Sequence, residues 1–429
     1  MNRIRNGSRR RLAAAVSTFA LTLGLVSCGS SGQSDGGVTL RVMWWGNAPR
    51  HEATNKAIAL YEKKHPSVTI EPIYTGWDGY WDKLATQMAG GNAPDVIQMD
   101  YAYLNDYAAR GTLLDLKDYT GKTLDVSDVQ DKLLQSGKLQ GGLYAIPWTT
   151  NTQTLLVDVK QVKQAGLELP EFGYSWEDLR EFGAKLADST GKGKYAISDM
   201  SSIPNVLEVW LGSHGKSLYT EKGKLGFGKE DLRDYWTYWQ ELSKASIATP
   251  ASVMTSYGAT FDQMSLVRGV AEMDYLWDNQ FSGVAEFVQH DMAMVPLPVG
   301  QQVGQYLHPS MFLSASAQTE HPKQAAKFID FMVTNPKAGQ ILGTNRGIPA
   351  DQSIRDKLAS QANGLDKKVF AYEKKLADQL APTPPAPPKG NSEVQHLFTR
   401  AGEKVAFGRM SIDQAVNHFF SRAEQILAG

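Results

Sequence analysis

The sequence predicts an α/β protein of two lobes, each built on a doubly wound sheet, and three observations lead there. From Val38 onward, β-type runs alternate with helix-type runs, the order that builds a parallel sheet with helices on its faces. After LYAIPWTTNT (143–152) the alternation restarts, which implies a second lobe. The 429 residues are 42% hydrophobic and 21% charged, enough for two or three proper cores and unlike a disordered polyelectrolyte or a polytopic membrane protein.

The first strand is VTLRVMWW (38–45), followed by the helix PRHEATNKAIALYEKKH, with Pro49 at its start and Pro66 just past its end. SVTIEPIY is the second strand. WDGYWDKLATQMAGG is a helix closed by Gly90-Gly91, APDVIQM the third strand, and AYLNDYAARG a helix stopped by Gly111. Ligands of such sheets sit beyond the carboxyl ends of the strands. Those ends are Trp45-Gly46-Asn47, Gly76-Trp77-Asp78 and Asp100-Tyr101, so three loops bring aromatic rings, amides and carboxylates to one crevice. In the second half, Ser175 with Asp178 caps SWEDLREFGAKLADS, and KYAIS is a strand. KEDLRDYWTYWQELSKAS is a helix with Leu232, Trp236 and Trp239 on one face. MAMVPLPVG and PSMFLSAS read as strands, HPKQAAKFIDFMVTN and PKAGQILGTN as helices, PTPPAPP (382–388) as a stiff linker, and two helices end the chain.

The first 28 residues read as an address. Arg3, Arg5, Arg9, Arg10 and Arg11 precede a mostly apolar run from Leu12 to Val26, then Ser27 and Cys28. That run is short of the roughly 20 residues a spanning helix needs, so it reads as a cleaved signal. Leu25-Val26-Ser27-Cys28 resembles the lipobox of bacterial lipoproteins, whose cysteine is lipidated and becomes the first mature residue. GSSGQSDGG (29–37) has nothing to bury and reads as a tether. The Arg9-Arg10 pair leaves general and twin-arginine export both open. The full chain's net charge of -1 offers no basic surface for nucleic acid, and without residues 1–27 the chain keeps 39 basic against 45 acidic residues, a net charge of -6 that suits a body outside an anionic membrane.

Sites for chemistry are few. Gly212-Ser213-His214-Gly215-Lys216-Ser217 ends like a phosphate-binding loop, but its first glycine position is Trp210. Gly191-Lys192-Gly193-Lys194-Tyr195-Ala196 leads into a strand instead of following one, the wrong context for a dinucleotide. The one G-x-S-x-G run, Gly32-Gln33-Ser34-Asp35-Gly36, falls in the tether and not at a strand-to-helix turn, no H-x-x-x-H occurs, and the lone cysteine builds no thiolate metal site, so neither a metal nor a cofactor is expected. Paired carboxylates of a glycosidase leave no sequence signature and stay open.

Tryptophan is the informative residue, with ten present. Trp176, Trp236 and Trp239 follow helix periodicity and read as structural. Trp77, Trp148, Trp210 and Trp277 fall at breaks between elements, where an indole either packs on its own lobe or offers a face to the C–H side of a sugar ring. Trp45 joins them at the first crevice loop. Asn47, Arg50, Asp78, Asp100, Asn151, Asp278 and Arg346 are the candidate partners for hydroxyls, with N-capping or solvated surface as their alternative roles.

With these residues in place, the chain resembles the family 1 extracellular solute-binding proteins, the sugar-capturing subunits of ATP-binding-cassette (ABC) importers. The resemblance rests on the lipobox, GGNAPDVIQMDYAYLNDYAARGTLLDL, GGLYAIPWTTNTQTLLVDVKQVKQAGL, SWEDL, RGVAEMDYLWDN, MVPLPVG, HPKQAAKFIDFMVTNPKAGQIL and Arg346-Gly347-Ile348-Pro349, in order from about residue 38 to the end. The opening WWGNAPRHEATNKAI with TGWDGYWDKLATQMAGG is similar to a subgroup that handles oligosaccharides, some of them uronic-acid oligomers. The resemblance implies the periplasmic-binding-protein fold: two lobes, a three-segment hinge and a ligand cleft between them. Its crossings would fall at Ile146-Pro147-Trp148, between Pro298 and Tyr306, and near Ile348-Pro349. The lobes would then be 38–147 with 306–348 and 148–300 with 352–429, after a signal peptide (1–27) and tether (28–37). Trp45 with Asn47, Asp100 with Tyr101, Trp148, and Trp277 after Gly269 and Met273 match the family's cleft positions. The usual tyrosine-asparagine step reads Leu156-Val157-Asp158 here, which leaves Asn151 open as a contact. The resulting expectation is a monomeric, non-catalytic carbohydrate receptor, anchored through Cys28 on the extracytoplasmic face of the cell membrane and feeding an ABC permease. A lipid-anchored glycoside hydrolase or lyase, and a sugar-sensing subunit of a membrane receptor, are the alternatives.

Overall fold

Strand β1 (Val38–Trp45) shows how the first sheet is made. Leu40, Val42 and Trp44 pack into one core, while Met43 and Trp45 pack into another on the opposite face. A strand buried on both faces belongs at the centre of a parallel sheet. It pairs in parallel with β2 (Val68–Thr75) and β3 (Val96–Met99). The structure is a computed structural model that describes residues 37–253, 260–384 and 386–428, so the signal peptide, Cys28 and the tether through residue 36 lie outside the described residues.

Helices α1 (Ala48–Lys64), α2 (Tyr80–Ala89) and α3 (Tyr101–Ala109) return the chain after these strands. Asn47 starts α1 by accepting the Arg50 N–H, and Asp100 starts α3 by accepting the Ala102 N–H. A short hairpin of β4 (Lys138–Leu139) and β5 (Gly142–Leu143) leads to β6 (Ile146–Asn151). Next come β7 (Gln153–Asp158), β8 (Tyr195–Ile197), β9 (Ala271–Trp277) and β10 (Met292–Val295), which form a second sheet in the order β10-β7-β9-β8. Strands β11 (His308–Ala315) and β12 (Ile348–Pro349) then rejoin the first sheet, whose order is β12-β6-β11-β3-β1-β2.

Both sheets are mixed, where strand-helix alternation alone predicted parallel pairing. Strand β11 runs antiparallel to β3 and β6, and β7 runs antiparallel to β9 and β10. The reason lies in the crossings. A chain arriving from the other lobe enters a sheet at its carboxyl edge, and so must run against the strands already there.

The second sheet is likewise buried on both faces, with Leu155, Val157 and Tyr275 in one core and Leu156 and Leu276 in the other. Helix Lys229–Lys244 buries Leu232, Trp236 and Trp239, as its periodicity predicted. Trp236 donates to the Ser201 carbonyl at 3.0 Å and stacks on Phe398 of the helix Asn391–Ala406. The two C-terminal helices thereby close the second core.

Two expectations need correction. The first crossing lies at Thr152, four residues beyond Trp148, because Ile146–Asn151 stays paired with β11 and β12 in the first sheet. Residues 382–384 and 386–388 are tied down at several points and do not run free as a linker. The Tyr101 hydroxyl donates to the Pro384 carbonyl, Asn105 to that of Pro387, and Thr383 to that of Leu307. The segment straps α3 of the first lobe to the helices of the second.

At the crossings the polar groups bind one another. Thr152 Oγ1 donates to the Tyr306 carbonyl, Gln305 Nε2 donates to Thr152 Oγ1 and the Gln153 carbonyl, and the Tyr372 hydroxyl also donates to Gln153. Arg355, on helix Gln352–Gln361, donates to the Pro349 carbonyl and to Thr150 Oγ1. The first two crossings are thus hydrogen-bonded to each other, and Arg355 ties the third to the end of β6.

Candidate ligand cleft

Register fixes what lies at the crossing edge of the first sheet. Trp45 is level with Thr75 at the ends of β1 and β2, Asn151 pairs with His308, and Thr150 pairs with Ile348, two residues after Arg346. The second sheet meets this edge through Gln153, which pairs with Trp277. These registers bring Trp45, Asn151 and Trp277 to this edge, the candidate crevice, with Trp77, Asp100 and Tyr101 in the segments that follow β2 and β3.

Its first wall is aromatic. Trp45 is buried, with its ring 5.1 Å edge-on from Trp77, which is 44% exposed. Trp81 stacks on Tyr103 at 3.8 Å and also meets Trp77 edge-on. This leaves Trp77 as an open face held by rings on its far side, and the stack beneath it went unread because Trp81 and Tyr103 belong to helices. Asn47 and Asp78 are exposed at the rim.

The second wall centres on Trp277, part-buried and 4.8 Å from His308, which meets Tyr101 edge-on at 5.6 Å. Tyr306 donates its hydroxyl to Glu208 at 2.6 Å, and Asn151 donates to Asn279 at 3.2 Å, so the two lobes touch through polar side chains here. Burial raises the Asp100 carboxyl to about 6 and that of Glu208 to about 7, in each case against a hydrogen bond that favours the charge. Burial lowers His308 to about 3, which keeps its imidazole neutral. Asn151 Oδ1 and His308 Nδ1 are buried with no hydrogen-bond partner among the described residues. Unmet polar groups beside rings from both lobes are what a hydroxyl-rich ligand would satisfy. Tyr306, His308, Glu208 and Asn279 were absent from the sequence-derived set, since nothing local marks them.

Three of the predicted contacts have other roles. Trp148 is buried in the first core, donates its indole N–H to the Met332 carbonyl at 2.9 Å and carries the Arg346 guanidinium over its ring at 4.7 Å. Trp210 lies within the helix Pro204–Ser213, its ring 4.9 Å from Trp176 in the second core. An indole at a sequence break has packed on its own lobe in both cases. Asp278 is fully buried next to Glu373; burial and then the Glu373 charge raise its carboxyl, against the backbone of Thr152 and Asn279, which favours the charged form. One proton shared between them satisfies both, and Arg355 lies 3.6 Å from Glu373. This pair sits under the crossings, sealed from the crevice. Arg50 and Arg346 share a separate corner at the start of α1.

A surface depression of about 930 Å³ lies at the other end of α1, lined by Lys64, Lys122, Lys323 and Lys327, away from this edge.

The sequence pattern of the family described as bacterial extracellular solute-binding protein matches residues 47–339. A Streptomyces antibioticus protein named as an uncharacterized lipoprotein in the oleD 5' region is 27% identical, over 90% of this chain and 85% of that one. The maltodextrin-binding protein of Bacillus subtilis is 23% identical, over 92% of this chain and 93% of its own. Among solved structures, an extracellular solute-binding protein family 1 member from Alicyclobacillus acidocaldarius superposes with a TM-score of 0.71 at 31% identity. The match covers 91% of this chain and 99% of that one.

Proposed function

The chain belongs to the bacterial extracellular solute-binding protein family, and from that premise we propose that it captures a sugar or oligosaccharide between its lobes and delivers it to an ABC permease. The observation that carries this reading is the crevice, where exposed Trp77, part-buried Trp277 and the unpartnered polar atoms of Asn151 and His308 converge from both sheets. The maltodextrin-binding relative supports a carbohydrate as the ligand class. A receptor role fits better than hydrolysis, because the closely paired carboxyls Asp278 and Glu373 are sealed under the crossings, where no glycosidic bond can lie between them. The test is incubation of the mature protein with oligosaccharide pools. A receptor returns them intact and melts at a higher temperature in their presence, whereas shortened products would establish an enzyme.

Two further results are expected. Trp277→Ala and Trp77→Ala each weaken sugar binding by about 1 to 3 kcal/mol, the scale for covering a large apolar face, with the melting temperature of the free protein little changed. Calorimetry giving wild-type affinity for both would remove them from the site. Anchoring is proposed to pass through Cys28, as the lipobox predicts and as the lipoprotein relative supports. Cys28→Ser should then shift the protein from the membrane fraction into the medium or periplasm, and unchanged membrane retention would refute a lipid anchor there.

A further inference from the structure

The two ends of β1 lie at opposite edges of the first lobe. Trp45, its last residue, is at the crevice edge, whereas Val38, its first, donates its N–H to the Ser67 carbonyl in the turn that follows α1. At about 3.3 Å per residue the strand sets these two points about 23 Å apart. The depression lined by Lys64, Lys122, Lys323 and Lys327 is on the Val38 side, because Lys64 and His65 end α1 and the His65 carbonyl accepts the Val68 N–H.

Its lysines come from three segments and are not matched by acids. Lys64 closes α1, Lys122 lies in the turn before Leu124, and Lys323 and Lys327 lie one turn apart on the helix Pro322–Thr334. All four are exposed, and none has an ion pair among the described residues. Of the two acids in the depression, Asp330 is half-buried and accepts the Asp125 N–H, which leaves Asp118 as the exposed one. Lys64 has a local reason for its place, at a helix C-terminus and over the Phe331 ring at 5.6 Å. Lys323 and Lys327 have the opposite. Like charges at i and i+4 repel, and Lys323 sits at the positive end of its helix in a first turn that holds no acid. An external anionic surface turns that repulsion into attraction.

The rest of the chain has the other sign, with a net charge of -6 once residues 1–27 are removed. An anionic membrane repels such a body and attracts this face, so the charge pattern sets an orientation. The sequence before β1 ends at the same edge. Nine residues, 29–37, separate Cys28 from Val38, a reach of about 30 Å at most.

We propose that the anchored protein rests on the membrane through this face, with Lys64, Lys122, Lys323 and Lys327 against anionic lipid headgroups. This rests on the Cys28 anchoring proposed above. The crevice, at the other end of β1, is then turned away from the bilayer, toward arriving solute.

The test couples the mature chain through Cys28, its single cysteine, to a maleimide-bearing lipid in vesicles, which supplies the anchor independently of lipidation in cells. Acylation of each lysine is read by mass spectrometry on vesicles containing phosphatidylglycerol and on vesicles of phosphatidylcholine alone, with the exposed Lys185 and Lys404 as controls. The four face lysines should be labelled at least about five-fold more slowly on the anionic vesicles and the controls equally on both, with the difference gone at about 1 M salt. Lys323→Glu combined with Lys327→Glu should remove the protection of Lys64 and Lys122 while sugar affinity stays unchanged. Equal labelling on the two kinds of vesicle overturns the docking face and leaves the anchor standing, since membrane retention of Cys28→Ser tests that separately. Equal labelling together with sugar uptake lost in cells carrying the double variant assigns the face to the permease instead. Protection by soluble glycerol phosphate without vesicles makes it a small-anion pocket and overturns the membrane contact, as does protection that survives the double substitution.

Discussion

Trp148→Ala is expected to destabilise the protein by about 3 to 5 kcal/mol, the range for removing a large buried ring. Three losses combine. The ring leaves a cavity in a core it shares with Ile146, Phe328 and Met332, the Met332 carbonyl loses its indole donor, and the Arg346 guanidinium loses the face it lies on. Denaturant titration checks this, with a lower midpoint and an unchanged slope expected. An unchanged midpoint together with lost sugar binding would return Trp148 to the cleft.

The second large effect is with pH. Burial raises the carboxyls of Glu373 and Glu208 to about 7 and Asp199 to about 6, and Asp278 rises too, through burial and then the charge of Glu373. The folded protein therefore holds protons that the unfolded chain releases at ordinary carboxylate values, near 4. Where the native state binds more protons, stability falls as pH rises. The stabilisation is complete below the unfolded values and is lost as pH climbs through about 7. At the acid end, Asp178 and Asp291 act oppositely: Ser175 and Lys368 hold their carboxyls low, and that contribution disappears as they protonate. His308, kept neutral by burial, opposes this as pH falls through the ordinary histidine value, but one imidazole is outweighed by four raised carboxyls, so the melting temperature should be higher at pH 5 than at pH 8. Asp278→Asn, which donates to Glu373 without a shared proton, should flatten this dependence and raise stability at pH 8. A wild-type melting temperature that is level between pH 5 and 8 would contradict the shared-proton pair.

Much of the fold was legible because it is written locally. The run VTLRVMWW is apolar on both faces and so central, while Asn47, Asp100 and Ser175 mark helix starts by their side-chain caps. Loop position also marked Trp45, Trp77, Asp100 and Tyr101 as residues at the ends of the first three strands. What was not legible depends on partners distant in sequence. Nothing near Trp148 tells that Met332 and Arg346 will cover it, nor near Trp210 that Trp176 will. The first crossing was placed early because β6 is held by β11 and β12, whose pairing is invisible along the chain. The buried carboxyl pair joins Asp278 to Glu373 for the same reason.

The late insertion of β11 bears on how the chain is made. Phe312 pairs with Met99 on one side and Pro147 on the other, so β3 and β6 have no common neighbour until the strands of the second sheet have been synthesised. Closing that long loop costs entropy before any pairing repays it, which makes completion of the first lobe slow. A nascent chain that stops short of His308 carries two open strand edges, the kind of surface that invites wrong pairing and chaperone capture. If the chain crosses a membrane, as its first 28 residues read, the same delay would keep it threadable until its last strands have arrived.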